Sequence, residues 1–333
     1  MADSDRGPSE RPPTRRTGGA RAAWDTAVTR YVLYRIALAI PLLLGTALVI
    51  FLAGHFAPGD PVQVALGDHY NPVTAAQMRH ALGLDRPLLV QFAAYLKRAV
   101  LFDFGTSNIN SGLRVGEMIK NALPVSLRLA AAAVALAAAV GTSLGMVAAV
   151  FPRTALDRII QFGVIAGISI PSFVTAALLV LLFALRWRLL PVAGWGAPQD
   201  AVLPVIVLAA PPVAYITRIA RASVRRSLSE DYVRTARSKG LRTEAILVRH
   251  VLRNAALPVV TTIGMAFGYA ITGAFVVEVV FNIPGLAREA VTAILQRDYA
   301  VIQTTVLVYT ALFALINLLV DVSYAFLNPR VRY

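Results

Sequence analysis

Residues 124–150 read PVSLRLAAAAVALAAAVGTSLGMVAAV, a mostly apolar stretch rich in alanine, valine and leucine. An α-helix rises 1.5 Å per residue, so about 20 such residues cross the hydrocarbon core of a bilayer. Five further stretches also qualify, and the sequence therefore predicts an all-α, polytopic membrane protein with about six transmembrane helices. The other predicted spans are 31–57, 159–185, 201–220, 258–281 and 301–327.

The composition excludes several classes of protein. The 333 residues are 57% hydrophobic and 15% charged, with a mean hydropathy of +0.64, which is too apolar for a soluble domain. The net charge of +14 does not indicate nucleic-acid binding, because the basic residues lie between apolar runs. No cysteine is present, which excludes disulfides, thiolate metal sites and thiol catalysis. We predict no catalytic residue, no metal site and no cofactor bound by this chain.

The predicted spans divide the chain into four segments. Residues 1–29 are rich in Arg, Pro, Gly, Ser and Thr, and we expect a disordered, basic cytoplasmic tail. The apolar run in 30–57 is too long for a signal peptide, so it is predicted to be an uncleaved first transmembrane helix. Residues 58–123 form an extracytoplasmic loop with short helices at 73–82 and 88–102. Residues 124–330 form a five-helix core containing a long loop, 221–257.

The orientation follows from the distribution of arginine and lysine, which accumulate in short cytoplasmic loops. The tail, the loop after residue 150, the loop 221–257 and the C-terminus are all basic, and six spans place them on one side. We therefore expect both termini to be cytoplasmic. Arg186 and Arg188 fall on the opposite side and oppose this prediction weakly.

The loop 221–257 has the pattern of a bent helical element. Residues 231–239 predict a short helix with an acid at its start and bases toward its end, which suits the helix dipole. Gly240 is expected to end this helix, and a second helix follows from 243 to about 254, before Pro258 opens the fifth span.

This loop resembles the cytoplasmic signature of the membrane subunits of ABC importers: Glu-Ala-Ala, three residues, Gly, nine residues, Ile, one residue, Leu-Pro. Gly240, Ala236 and Leu252 match it, whereas Arg234, Thr235 and His250 depart from it, as does Arg253 at the proline. The chain is thereby similar to the dipeptide, oligopeptide and nickel permeases, in which the string from Asp231 to Gly240 has a counterpart. Further matches to that branch are 58–61 (PGDP), 82–87 (LGLDRP), 103–105 (DFG), 170–173 (IPSF), 284–286 (PGL) and 328–330 (NPR).

The resemblance implies a type I importer permease in the bacterial cytoplasmic (inner) membrane that translocates di- or oligopeptides, with nickel or glutathione as alternative substrates. It implies as partners a second homologous permease, two ABC ATPases that use ATP and Mg, and an extracytoplasmic substrate-binding protein that docks on the loop 58–123. The chain carries no G-x-x-x-x-G-K-[ST] phosphate-binding sequence, so energy comes from elsewhere. The residues expected to contact the ATPase are Asp231, Tyr232, Arg234, Thr235, Ala236, Lys239, Gly240 and Leu241.

Three alternatives to this interpretation remain open. The basic loop 221–257 is also suited to contact anionic membrane lipid without any motor. An ion-coupled secondary transporter would place acidic residues near the bilayer midplane, where the sequence has none. An intramembrane serine protease is suggested by Gly141-Thr142-Ser143-Leu144-Gly145, a G-x-S-x-G sequence, but the strand and helix that this motif requires are not predicted around it.

Three spans carry a G-x-x-x-G pair, which allows close approach of helices in lipid. These helix-packing candidates are Gly141 with Gly145, Gly163 with Gly167, and Gly264 with Gly268. Glu278, near the outer end of the fifth span, is interpreted either as a substrate contact or as a solvated or paired rim residue. Pro171 is expected to kink the third span, either lining a pathway or only bending the helix.

Overall fold

A computed structural model describes residues 17–56, 61–66, 70–107, 109 and 112–327. The described chain is helical apart from its connections, which confirms the all-α prediction. The predicted disorder of 1–16 and the motifs at 58–60 and 328–330 lie outside the described residues. The helices in chain order are α1 Thr17–Phe56, α2 Pro61–Leu66, α3 Pro72–Leu82, α4 Leu88–Val100, α5 Val115–Val150, α6 Ala155–Ser169, α7 Ser172–Leu179, α8 Val202–Leu228, α9 Asp231–Ser238, α10 Thr243–Ile246, α11 Leu252–Val280, α12 Leu286–Gln296 and α13 Tyr299–Leu327.

Five of these elements are long and apolar enough to cross a membrane. A sixth crossing consists of α6 together with α7 and the π-helical turn Val180–Arg186, two pieces bent by 109° relative to each other. The described residues therefore contain six candidate spans when the broken pair counts as one, in agreement with the prediction of about six. The five long spans are Thr29–Phe56, Val115–Val150, Pro198–Leu228, Arg249–Val280 and Tyr299–Ser323.

The broken pair joins opposite ends of the bundle. We define the α9 end as the end that carries α9, and the α12 end as the end that carries α12. Asp157, in the first turn of α6, forms an ion pair with Arg221 near the end of α8, at the α9 end. Beyond the second piece, the N–H of Gly194 donates to the carbonyl of Phe281, directly after α11, at the α12 end. The pair therefore crosses the bundle rather than returning to the end at which it began.

At three places the structure differs from the sequence-based prediction. Pro171 breaks the third span, rather than kinking one continuous helix, because it lacks an N–H and holds Ile170 in an extended conformation. Pro258 lies inside α11, which continues the helical path of α10 through the π-helical turn Leu247–Val251. Residues 17–29, predicted to be disordered, belong to α1, because an alanine-rich stretch extends an already nucleated helix at little cost.

The core is formed by α5, α8 and α11, which bury a continuous set of small and branched side chains. Leu129 of α5, Val207 of α8 and Ala270 of α11 are fully buried within it. By contrast α1 contacts mainly α13, and most of its large apolar side chains are exposed. In lipid such exposed apolar residues face the acyl chains, so α1 is a peripheral span.

Glycine pairs bring the core helices close together. A Cβ atom at Gly145 would lie 2.6 Å from the carbonyl oxygen of Thr217, and one at Gly141 would lie 2.9 Å from Ile216. Gly264 lies against Val320, and Gly268 lies against Phe313. These contacts join α5 to α8 and α11 to α13.

The two glycines of the third pair differ in their surroundings. Gly167 lies against the carbonyl of Ala210 on α8, at 3.2 Å from an added Cβ atom, whereas a Cβ atom at Gly163 would meet nothing within 4 Å. A contact with α8 therefore supports the predicted packing role of Gly167, whereas no contact supports that of Gly163.

We expect Gly145→Ala to lower the stability of the protein by about 2 kcal/mol, because the added methyl group overpacks the α5–α8 contact against backbone atoms that cannot move aside. Gly163→Ala is the matched control, since it adds the same group to open space. The measurement is the apparent unfolding temperature of the detergent-solubilised protein. Equal unfolding temperatures for the two variants would contradict the close approach at Gly145.

Candidate functional site

The bent element predicted in 221–257 is present and is ended by a left-handed glycine. Helix α9 follows Glu230, carries Asp231 in its first turn and Arg237 in its last, and so matches the helix dipole at both ends. Gly240 has φ +75°, and the N–H of Leu241 donates to the carbonyl of Ala236 at 3.3 Å. This hydrogen bond is the one that closes a Schellman motif, and it needs a residue that adopts positive φ without strain.

One face of α9 packs against the protein's own bundle. Val233 and Ala236 are buried against Val224 of α8, and Ile246 joins the same cluster. Ala236, predicted to contact an ATPase, thus lies on the inner face of α9. Tyr232 is half-buried beside it. The inner face holds α9 in a fixed position relative to α8 and α11.

The opposite face of α9 is exposed. Its residues follow the spacing i, i+3, i+4 and i+7, which places them on one side of a helix. The ion pair between Asp231 and Arg234, at 3.4 Å, joins side chains that are 91% and 80% exposed, so it contributes little to stability. We define the outer face as Asp231, Arg234, Thr235 and Ser238, together with the exposed residues that follow, Lys239, Gly240 and Leu241.

Basic side chains lie on the outer face and beside it in the sequence. These exposed residues are Arg234, Arg237, Lys239 and Arg242. Arg237, Ser238 and Arg242 were not among the predicted contact residues, although Ser238 is seven residues after Asp231 and the helical period assigns it to the same face. The surface is suited to a partner with complementary acidic groups.

A largely buried ion pair joins α6 to α8 at the α9 end. The Nε and Nη2 atoms of Arg221 each donate to a carboxylate oxygen of Asp157 at 2.8 Å, and the N–H of Arg153 donates to the same group at 3.0 Å. The Asp157 side chain is only 6% exposed. The two-point geometry fixes the direction of α6 relative to α8, next to the point where α8 leads into α9.

A second buried cluster lies at the α12 end and includes Glu278. Its carboxyl group accepts hydrogen bonds from the N–H groups of Ala287 at 2.8 Å and Arg288 at 3.1 Å, in the first turn of α12. It also accepts a hydrogen bond from the hydroxyl of Ser126 on α5 at 2.5 Å. The oxygen of this hydroxyl accepts a second hydrogen bond, from the N–H of Leu286, at 2.8 Å. Glu278 is fully buried and therefore is not a solvated rim residue. It joins α5, α11 and α12.

Gly285, in the predicted motif Pro284-Gly285-Leu286, is required by this cluster. A Cβ atom there would overlap the carboxyl group of Glu278. The glycine therefore allows the carboxyl group to reach the N-terminus of α12, where unpaired N–H groups favour an acceptor.

The connection between α4 and α5 is attached to the same end. The hydroxyl of Ser107 donates to Asp298 at 2.5 Å, and both residues are buried. The other carboxylate oxygen of Asp298 accepts the N–H of Val301 in the first turn of α13. This contact fixes part of the long first loop to the bundle.

Six candidate crossings among the described residues, with a bent basic element at one end, define a polytopic membrane protein. The chain belongs to the family described as "Binding-protein-dependent transport system inner membrane component", whose model matches residues 141–333. The companion N-terminal model of that system matches residues 28–130.

Similar proteins align with nearly the whole chain. The glutathione transport system permease protein GsiC of Salmonella typhimurium (strain LT2) is 41% identical over 303 residues, which is 91% of this chain and 99% of that protein. A probable peptide ABC transporter permease protein of Sinorhizobium fredii is 38% identical over 311 residues, with the same coverage of each. A solved structure of an amino acid ABC transporter with histidines aligns at 16% identity with a TM-score of 0.49, covering 63% of this chain and 94% of that chain.

The family membership decides between the classes that the sequence left open. The protein is the permease subunit of an ABC importer, and it is a transport component rather than an enzyme. The interpretations as an ion-coupled secondary transporter and as an intramembrane protease are therefore wrong. Ser143 is exposed on α5 within a span.

Proposed function

We propose that the outer face of α9 is the coupling surface on which a partner ATPase acts, and that ATP-driven movement of this partner changes access to a pathway between two permeases. The observation that carries the proposal is the division of α9 into a buried inner face and an exposed outer face. The inner face attaches the helix to α5, α8 and α11, so a force applied to the outer face reaches the core helices.

The charge of the surface supports a protein partner with acidic groups. The outer face and its surroundings carry a cluster of arginine and lysine, which attracts an acidic groove and sets the orientation of docking. The two-point ion pair of Asp157 with Arg221 braces the same end. A surface that only contacted lipid would not require α9 to end in a Schellman motif and to bend at Gly240.

The assembly that we propose contains this chain, a second homologous permease, two ABC ATPases and an extracytoplasmic binding protein. ATP and Mg are bound by the ATPases. The α9 end and both termini are cytoplasmic, because the arginines and lysines concentrate there. The binding protein docks at the α12 end, where Ser107 and Asp298 hold the first loop against the bundle.

The proposed substrates are di- or oligopeptides, including the tripeptide glutathione. The names of the relatives support this class, since they refer to glutathione and to peptides. Nickel is less well supported, because neither of these names refers to it.

The test is uptake by the complete assembly, purified with its native partners and reconstituted in vesicles. We expect uptake of radiolabelled peptide or glutathione that requires ATP and the binding protein. Uptake driven by an ion gradient without ATP would contradict the coupling proposal. ATP-dependent uptake of nickel, without uptake of any peptide, would contradict only the substrate class.

A further inference from the structure

A cavity of about 640 Å³ lies at the α12 end, away from the core and from α9. The end of α1, the pair of helices α3 and α4, and the first turns of α13 surround it. It belongs neither to the coupling surface nor to the contacts of Glu278. Its position beside the peripheral span α1 places it next to lipid.

One side of this cavity is basic. Arg79, Arg86 and Arg98 line it, together with His55, and Asp103 is the one acidic residue among the described residues that line it. Arg86 and Arg98 are exposed, and neither forms an ion pair with the described part of the chain. Two arginines in an open cavity favour an anionic group, which a planar guanidinium binds through paired hydrogen bonds.

The other side of the cavity is apolar and aromatic. The ring of Phe51 on α1 lies 5.4 Å from that of Phe92 and 6.0 Å from that of Tyr95, both on α4. The hydroxyl of Tyr95 is buried and has no hydrogen-bond partner among the described residues. A ligand oxygen bound nearby would restore a hydrogen bond that this hydroxyl loses on leaving water.

The surroundings of the cavity favour a ligand that is itself part of the membrane. Helix α4 has no buried residue, and Leu89, Val100 and Phe102 at its ends are 81%, 76% and 80% exposed. Such side chains beside a peripheral span are typical of a helix lying in the interface between headgroups and acyl chains. A ligand that enters the cavity from the membrane interface is a lipid, which has an acyl chain as well as a charged headgroup.

We propose that this cavity binds one anionic phospholipid, with its phosphate against Arg86 and Arg98 and an acyl chain along Phe51 and α4. Charge complementarity supports the headgroup, and the continuous apolar surface of α1 and α4 supports the chain. The lipid fills the space between the first loop and the bundle and holds α1 against α4.

The test is native mass spectrometry of the full-length protein in detergent, titrated with phosphatidylglycerol and, separately, with phosphatidylcholine. We expect the protein to bind one phosphatidylglycerol roughly tenfold more tightly than phosphatidylcholine, as two arginines near a membrane surface predict. Arg86→Gln with Arg98→Gln removes this preference, whereas Arg86→Lys with Arg98→Lys keeps most of it. The lysine variant distinguishes lost charge from lost folding.

The matched control is Arg186→Gln with Arg188→Gln, which removes two exposed arginines at the same end but outside the cavity. This variant is expected to keep the preference for phosphatidylglycerol. Equal binding of the two lipids by the wild-type protein would overturn the proposal. Inorganic phosphate that displaces phosphatidylglycerol at equal concentration would also overturn it, because the site would then bind a free anion. Loss of binding-protein docking in the glutamine variant, with lipid binding unchanged, would assign the cavity to the binding protein instead.

Discussion

Gly240→Pro should abolish uptake while leaving the protein inserted in the membrane. Gly240 has φ +75°, whereas proline requires φ near −65°, and proline also removes the N–H that donates to Arg237 at 2.9 Å. The turn between α9 and α10 must therefore change, and the outer face no longer has the shape that the ATPase fits. The measurements are ATP-dependent uptake and substrate-stimulated ATP hydrolysis in reconstituted vesicles, with membrane abundance measured in parallel.

Gly240→Asn is the matched control, because asparagine adopts positive φ more readily than other residues and an added Cβ atom meets nothing within 4 Å. We expect this variant to retain most of the uptake. Normal transport by Gly240→Pro, at normal abundance, would contradict the assignment of the bent element as the coupling surface.

Glu278→Ala should reduce the stability of the folded protein by about 3 kcal/mol. The substitution leaves the buried N–H group of Ala287 and the partly buried N–H group of Arg288 without an acceptor, and each such group costs about 1–3 kcal/mol. It also removes the acceptor for the O–H of Ser126, which keeps its hydrogen bond from the N–H of Leu286, and it creates a cavity between three helices. We expect an apparent unfolding temperature in detergent lower by about 5 °C or more.

Glu117→Ala is the control for Glu278→Ala, since it removes an exposed glutamate from the first turn of α5 at the same end. Its expected effect is below about 0.5 kcal/mol. An equal, small effect of both substitutions would mean that the carboxyl group of Glu278 does not hold α12 to the bundle.

Local sequence patterns predict the spans and the bent element well. Hydropathy locates the apolar helices because lipid requires every backbone polar group to be satisfied internally. The helix over residues 231–239 and its end at Gly240 follow from dipole and capping preferences, which involve only neighbouring residues. The sharp break at Pro171 is only partly predictable: proline removes a hydrogen bond, but the 109° angle depends on how α6 and α7 pack on α8.

The long-range contacts could not be predicted. Ser126 and Glu278 are 152 residues apart, and nothing in either local sequence indicates their pairing. Ala236 matches a family signature, yet its burial against α8 follows from tertiary packing rather than from the motif. Gly163 and Gly167 satisfy the same spacing rule, but only Gly167 faces another helix, since the pattern does not specify which side of α6 meets α8.

Crosslinking from the outer face of α9 tests the central claim most directly. Because the chain has no cysteine, Ser238→Cys introduces a single thiol on this face, and Arg158→Cys introduces one at an exposed position in the first turn of α6, at the same end but outside α9. Treatment of intact cells with a short thiol-to-amine crosslinker, followed by mass spectrometry, identifies the captured chains. We predict that Ser238→Cys captures an ABC ATPase and that Arg158→Cys does not; failure of Ser238→Cys to capture any ATPase, in cells with active uptake, would contradict the account.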